Sequence, residues 1–176
     1  MSESESALMV MVPEAEPLVK AFRDRYDPSA AAGVPAHVTL LYPFKHPDQI
    51  DQAVLDDLGR CFHSRAPFRF ALASIRRFPD GILYLVPDPD EPFRELTVAI
   101  WDRYETPPYG GKWSDIVPHL SVAWVKDEQY LDRIADDFAQ ASQGRLPIVS
   151  TAMEVALMER SSDRWRVRTI FSMRGD

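Results

Sequence analysis

Two strings in the sequence set a histidine two places ahead of a small hydroxyl residue. AHVTLLYPF, residues 36–44, holds His37-Val38-Thr39, and PHLSVAW, residues 118–124, holds His119-Leu120-Ser121. The chain has four histidines, so half of them share one local setting. On an extended strand, residues i and i+2 point to the same face. His37 and Thr39 therefore share a face, with Val38, Leu40 and Tyr42 on the other. His119 and Ser121 stand likewise against Leu120, Val122 and Trp124. Two imidazoles and two hydroxyls around one small volume can cleave a phosphodiester. One imidazole removes a proton from the nucleophile and the other protonates the leaving oxygen, since histidine alone has an unperturbed pKa near neutrality. The hydroxyls can donate to the non-bridging phosphate oxygens, where charge gathers in the transition state. A lone strand histidine is more often a hydrogen-bonded structural residue; the duplicated spacing turns the reading to function.

For these four side chains to meet, two strands must face one another, and the order of elements supplies them. Residues 7–12 are an apolar run that reads as a buried strand. Residues 13–26 carry acids in the first turn and Val19, Phe22 and Tyr26 at helical spacing, hence a helix. Residues 27–35 read as a loop and 36–42 as the first histidine strand. Residues 46–64 place Ile50, Val54, Leu58 and Phe62 on one helical stripe, and 68–78 with 82–86 form a hairpin about the turn PDG. The order then recurs: a helix over 90–104, a Gly- and Pro-rich loop over 105–118, the second histidine strand over 120–125 and a helix over 127–142. Two long alternating strands, 147–158 and 165–173, close the chain. The two motif histidines are 82 residues apart, close to half of the 176 residues. The expectation is one α+β domain over residues 1–176. Its two pseudo-twofold-related lobes are each a mostly antiparallel sheet packed against helices, with the active cleft between them.

The paired strings resemble the signature of the two-histidine phosphoesterase superfamily, in particular its 2′-5′ RNA ligase and cyclic phosphodiesterase branch and the small bacterial proteins within it. The resemblance covers nearly the whole chain, because element order and motif placement both fit. It implies a bilobal fold whose central groove is lined by His37, Thr39, His119 and Ser121 as the catalytic set. It also implies no metal and no cofactor, and a small nucleotide or RNA end as substrate, either cleaved or joined. In hydrolysis it implies His119 as general base and His37 as general acid, with the roles exchanged in the reverse direction. Ser121 departs from the threonine common at that position, which the chemistry tolerates. A non-catalytic module that binds a nucleotide or cyclic phosphate in the same cleft is the alternative. A purely structural role leaves the repeated spacing unexplained.

Composition narrows the partners. A net charge of −7 disfavours long double-stranded nucleic acid, whose affinity comes from neutralising many phosphates. The basic candidates for a groove are Lys45, Arg76, Arg77, Lys112, Arg160 and Arg164. Phe44, at the end of the first motif strand, offers a ring for stacking on a base. Tyr109, Lys112 and Trp113, beside two glycines in PPYGGKWSD, offer a rim that closes on substrate. His46 reads as the start of a surface helix and His63 as a structural cation at a helix C-terminus. Cys61, the one cysteine, reads as a small core residue. No metal-ligand spacing is visible. The start of the chain is acidic, and its apolar run is too short for a signal core or a membrane span. A cytoplasmic monomer without membrane contact is the default expectation.

Overall fold

The structure is a computed structural model that describes residues 4–175; the first three residues of the acidic start lie outside it. Eight strands form two antiparallel four-stranded sheets. The first contains β1 (Glu5–Met11), β2 (His37–Leu41), β7 (Glu154–Ser161) and β8 (Arg164–Ser172), in the order β2-β1-β7-β8. The second contains β3 (Phe68–Arg77), β4 (Ile82–Asp88), β5 (Leu120–Trp124) and β6 (Ile148–Ala152), in the order β5-β4-β3-β6. The helices are α1 (Glu16–Tyr26), α2 (Pro28–Ala31), α3 (Gln52–His63), α4 (Glu91–Tyr104) and α5 (Glu128–Ala141). The α+β, two-lobed expectation holds. Among the described residues no helix is long and apolar enough to cross a membrane.

Local chemistry accounts for where the helices begin. Asp51 caps α3 by accepting from the Val54 N–H at 2.9 Å, and Asp127 caps α5 by accepting from the Tyr130 N–H at 2.8 Å, each satisfying a donor that the first turn leaves orphaned. The cap at Asp51 is why α3 starts later than the helix expected from residue 46. His46 instead heads a short 3₁₀ turn, Pro47–Gln49, and accepts from the Asp48 N–H. The apolar stripe of α3 is buried at Leu58 and Phe62, and α3 packs on β8.

Two expectations need correction. The alternating run 147–158 is not one strand: it breaks at Met153, and its halves β6 and β7 belong to different sheets. The lobes are also not successive halves of the chain. The first sheet takes the two ends and the second takes the middle. The covering helices cross over as well. Helix α1 connects two strands of the first sheet yet packs on β5 of the second, while α4 connects two strands of the second yet packs on β2 of the first.

The internal symmetry runs deeper than element order. Residues 18–26, LVKAFRDRY in α1, and 96–104, LTVAIWDRY in α4, match at Leu, Ala, Asp, Arg and Tyr. Both motif strands carry a bulge at one equivalent place. Met9 faces Thr39 and Leu8 faces Leu41, so Leu40 is the extra residue. Tyr84 faces Ser121 and Leu83 faces Ala123, so Val122 is the extra residue. A bulge inserts one residue and inverts the facing of the residues beyond it. Leu40 and Leu41 are therefore both buried, as are Val122 and Ala123. Tyr42 and Trp124, expected on the apolar side, turn to the opposite face.

Candidate active site

Strands β2 and β5 run side by side where the two sheets meet, and their polar faces line one cleft of about 690 Å³. His37, Thr39, His119 and Ser121 all line it, and each is half-buried. The two imidazoles are held in one way. His37 Nδ1 lies 2.7 Å from the Pro35 carbonyl oxygen, and His119 Nδ1 lies 2.7 Å from the Val117 carbonyl oxygen. A carbonyl only accepts, so each ring carries its proton on Nδ1 and leaves Nε2 with a free lone pair. The backbone entering β2 is fixed by the Ala36 N–H, which donates to Glu16 at 2.6 Å. Thr97 of α4, buried, donates at 2.8 Å to the carbonyl of Leu40, the bulge residue just past Thr39.

The surroundings of the two rings differ. His119 sits in an aromatic corner, with Phe78 edge-on at 4.9 Å and Tyr84 at 5.6 Å; those two rings stack at 4.1 Å. His37 lies near a closed polar network. Arg23, 2% exposed, donates from Nε to Asp27 at 3.0 Å and from a terminal nitrogen to Ser29 at 3.0 Å. Asp27 also accepts from the Ser29 N–H and hydroxyl. Burial pushes the His37 imidazole down to about 4, with the Arg23 guanidinium adding to the effect and the Pro35 carbonyl and Asp27 opposing it. Burial lowers His119 too, opposed by the Val117 carbonyl and the carboxylate of Asp80. Burial thus favours the neutral form of both rings near pH 7, and an anion bound beside them would favour the protonated form.

Of the expected binding residues, Tyr109, Lys112 and Trp113 line the cleft. The Tyr109 N–H donates to the Tyr42 carbonyl at 2.6 Å, and its ring meets Tyr42 edge-on. It does so from a left-handed backbone, φ 53°, which costs a non-glycine residue roughly 1–2 kcal/mol. Lys112 stands over the Trp113 ring at 4.8 Å. Phe44 is a correction. It lies past the end of β2, where its N–H donates to the Ser6 carbonyl at 2.9 Å, and its ring, 5% exposed, packs in the core edge-on against Tyr104 at 5.1 Å. Among the basic candidates Lys112 lines the cleft. Lys45 covers Phe44 and Tyr104, Arg77 pairs with Asp132, and Arg160 pairs with Glu5; Arg76 and Arg164 do not line the cleft either. Residues not anticipated are Tyr42, Trp124, Phe78, Asp80, Asp27 and Ser29, all lining it. Leu40-Leu41 and Val122-Ala123 are the signal for the first two: paired apolar residues that break strict alternation just past each hydroxyl. The rest come from distant turns and carry no local signature.

A family model described as the 2′-5′ RNA ligase superfamily matches residues 11–164, a span holding both motifs. No curated protein matches the sequence significantly. Among solved structures, Escherichia coli LigT complexed with 3′-AMP superposes with a TM-score of 0.59 at 12% identity, covering 98% of this chain and 99% of that one. LigT complexed with ATP gives 0.62 at 14%, covering 97% and 98%. A Thermus thermophilus protein gives 0.64 at 18%, covering 98% and 99%. At these identities the likeness is one of fold.

Proposed function

The chain belongs to the 2′-5′ RNA ligase superfamily, enzymes of phosphoesterase type, and we propose that it hydrolyses the 2′,3′-cyclic phosphate or 2′-5′ phosphodiester of a small nucleotide or RNA end. The observation that carries this reading is the matched pair of imidazoles: each is tied through Nδ1 to the carbonyl two residues before it, and each keeps Nε2 for one shared cleft. Water attacks phosphorus in line with the departing ribose oxygen. One Nε2 takes the proton of the water, and the other, protonated once the anion is bound, supplies the proton to the leaving oxygen. The Thr39 and Ser121 hydroxyls donate to the non-bridging oxygens. The catalytic set is His37, Thr39, His119 and Ser121, and Tyr109, Lys112 and Trp113 hold the rest of the substrate.

The charge of the cleft favours a small substrate. Lys112 lines it together with Asp27, Asp80 and Asp115, and Asp27 and Asp115 are already paired with Arg23 and Arg94. Such a lining suits one phosphodiester anion and repels a long polyanion. The 3′-AMP and ATP complexes of LigT are consistent with a small nucleotide. The proposed steps are carried by the two imidazoles and two hydroxyls alone, and turnover under chelation tests that.

The test is turnover of 2′,3′-cyclic mononucleotides and 2′-5′ dinucleotides in the presence of a chelator. Turnover is expected with at least one of them. His37→Ala and His119→Ala should each slow it by roughly 10²–10⁴ with thermal melts near the parent. Thr39→Ala and Ser121→Ala should cost less, about 1.5–3 kcal/mol for a bond to a charged group. Tight binding without turnover would instead identify a nucleotide-binding module, and turnover restored only by a divalent ion would reject the metal-free mechanism.

A further inference from the structure

The repeat sets an aromatic ring at one equivalent place on each motif strand. Tyr42 stands three residues past Thr39 and Trp124 three past Ser121, and past the paired bulges both line the cleft. A phosphodiester seated between the imidazoles would meet one such ring on either hand. We infer that one of the two places is open and the other is plugged by the chain itself. The base of the substrate stacks on Trp124, while the turn Pro108–Gly111 fills the place at Tyr42 with Tyr109. The cleft therefore takes a phosphodiester bearing a single nucleoside, a 2′,3′-cyclic phosphate, and excludes the second nucleoside of a 2′-5′ dinucleotide. The inference rests on the phosphoesterase reading above and narrows its substrate.

The plug matches an insertion in the repeat. The helical strings pair Tyr26 with Tyr104, 78 places on, whereas the motifs pair His37 with His119, 82 places on. The connection into the second motif strand is thus four residues longer than that into the first, which is the length of the 3₁₀ turn Pro108–Gly111. The shorter connection stays on its own sheet: the Ala32 carbonyl accepts from the Trp165 N–H at 2.8 Å, and Val34 packs, buried, with Ala7, Met9, Ala156 and Met158. The longer one leaves its own sheet, and its turn lands on β2 of the other. Tyr42 is engaged there on several sides. Tyr109 meets its ring at 6.3 Å and Trp165 at 6.1 Å, both edge-on, and its hydroxyl donates to Glu5 at 2.7 Å.

Trp124 stands differently. It is 47% exposed. Its indole N–H donates to the Asp80 carbonyl at 3.3 Å, and among the described residues no aromatic ring packs against it. Phe78 and Tyr84, stacked on one another, wall the same side of the cleft beside His119. A large ring held by its polar atom and left open on its face suits a nucleobase, since every base has a π-face to stack.

The chemistry needs one such side. Water adds to phosphorus of the cyclic phosphate and gives a proton to one imidazole. The bond from phosphorus to one ribose oxygen breaks, and that oxygen takes a proton from the other imidazole. The leaving oxygen stays on the same ribose, so a single nucleoside monophosphate results. A 2′-5′ diester carries a second nucleoside instead, whose base would need the Tyr42 side.

Three substrates test both halves of the inference: adenosine 2′,3′-cyclic phosphate, ribose 2′,3′-cyclic phosphate without a base, and adenylyl-(2′-5′)-adenosine. The parent should prefer the adenosine cyclic phosphate to the dinucleotide by roughly 10²-fold in kcat/KM. Tyr109→Gly and Tyr109→Asn both suit the left-handed backbone at this position. Each should raise the ratio of dinucleotide to cyclic turnover by roughly tenfold or more; an unchanged ratio in both variants overturns the plug. Trp124→Ala should raise KM for the adenosine cyclic phosphate roughly 10–100-fold more than for the abasic one. Trp124→Phe, which keeps a ring and lacks the indole N–H, should recover most of that loss. Equal losses on the two cyclic substrates, or no recovery in Trp124→Phe, remove the stacking role. A parent that turns over the dinucleotide as fast as the cyclic nucleotide overturns this inference alone, whereas a parent that turns over none of the three removes the phosphoesterase reading and this inference with it.

Discussion

At the scale of single residues, the site depends on rings kept uncharged by their surroundings. The folded His37 imidazole is pushed down to about 4 by burial, against 6.5 for an ordinary histidine. Above pH 6.5 neither folded nor unfolded chain protonates it, and stability is indifferent to it. Between 6.5 and 4 the unfolded chain takes up a proton that the folded ring refuses, so stability is lost as pH falls through that window. His119 acts in the same direction. Urea midpoints should therefore fall from pH 7 to pH 5, and the fall should shrink in His37→Asn; an unchanged fall in that variant would mean that the ring is not the source. Tyr109 carries another local cost. It adopts a left-handed backbone beside Gly110 and Gly111, whose φ values are +64° and +75°. Its N–H bond and ring contact to Tyr42 hold it there, and strain of this sort persists where surrounding contacts over-determine it.

At the scale of elements, the bulges decide what reaches the cleft. Apolar stripes and alternation in the sequence reveal the strands and helices, and the two His-x-hydroxyl faces follow from a period of two. The inverted facing of Tyr42 and Trp124 does not, because a bulge is a property of pairing between two strands rather than of either alone. The division of residues 147–158 is hidden for a similar reason: alternation continues through Met153 while the partner strand changes from β3 to β1. Phe44 is misplaced for another reason: alternation no longer applies past the end of β2, where its N–H bonds to the Ser6 carbonyl and its ring enters the core. The bulge residue Leu40 also has a carbonyl that needs a partner, which is the Thr97 hydroxyl. Thr97→Val keeps the shape and removes the donor, leaving a buried acceptor unpaired at a cost of about 1–3 kcal/mol. Because Leu40 directly follows Thr39, turnover should drop along with the denaturation midpoint. A variant that loses stability but keeps the parental kcat would show that the bulge holds its shape without α4.

At the scale of the whole molecule, the crossing of the helices ties the site to global folding. The strand of His37 is covered by α4 from the second half of the chain, and the strand of His119 by α1 from the first. Helix α1 is further locked to the second half by Phe22 against Phe138, edge-on at 5.0 Å, and Tyr26 against Tyr130 at 5.8 Å. The first sheet requires β7 and β8 from the C-terminal end, and the second requires β3 from the N-terminal half. A chain cut at the turn near residue 80 would leave each part with unpaired strand edges and an amphipathic helix lacking its sheet. Too little apolar surface would then be buried to offset the conformational entropy of ordering either part. We therefore propose that residues 1–176 fold as one cooperative unit, despite the internal repeat. Fragments 1–80 and 81–176, expressed separately, should give circular dichroism and amide spectra of largely unfolded chains without a sigmoidal melt, while the full chain melts in one transition by both probes. A cooperative melt from either fragment would mean that the repeat still records two self-sufficient folding units, and that the crossed helices were added to domains already stable.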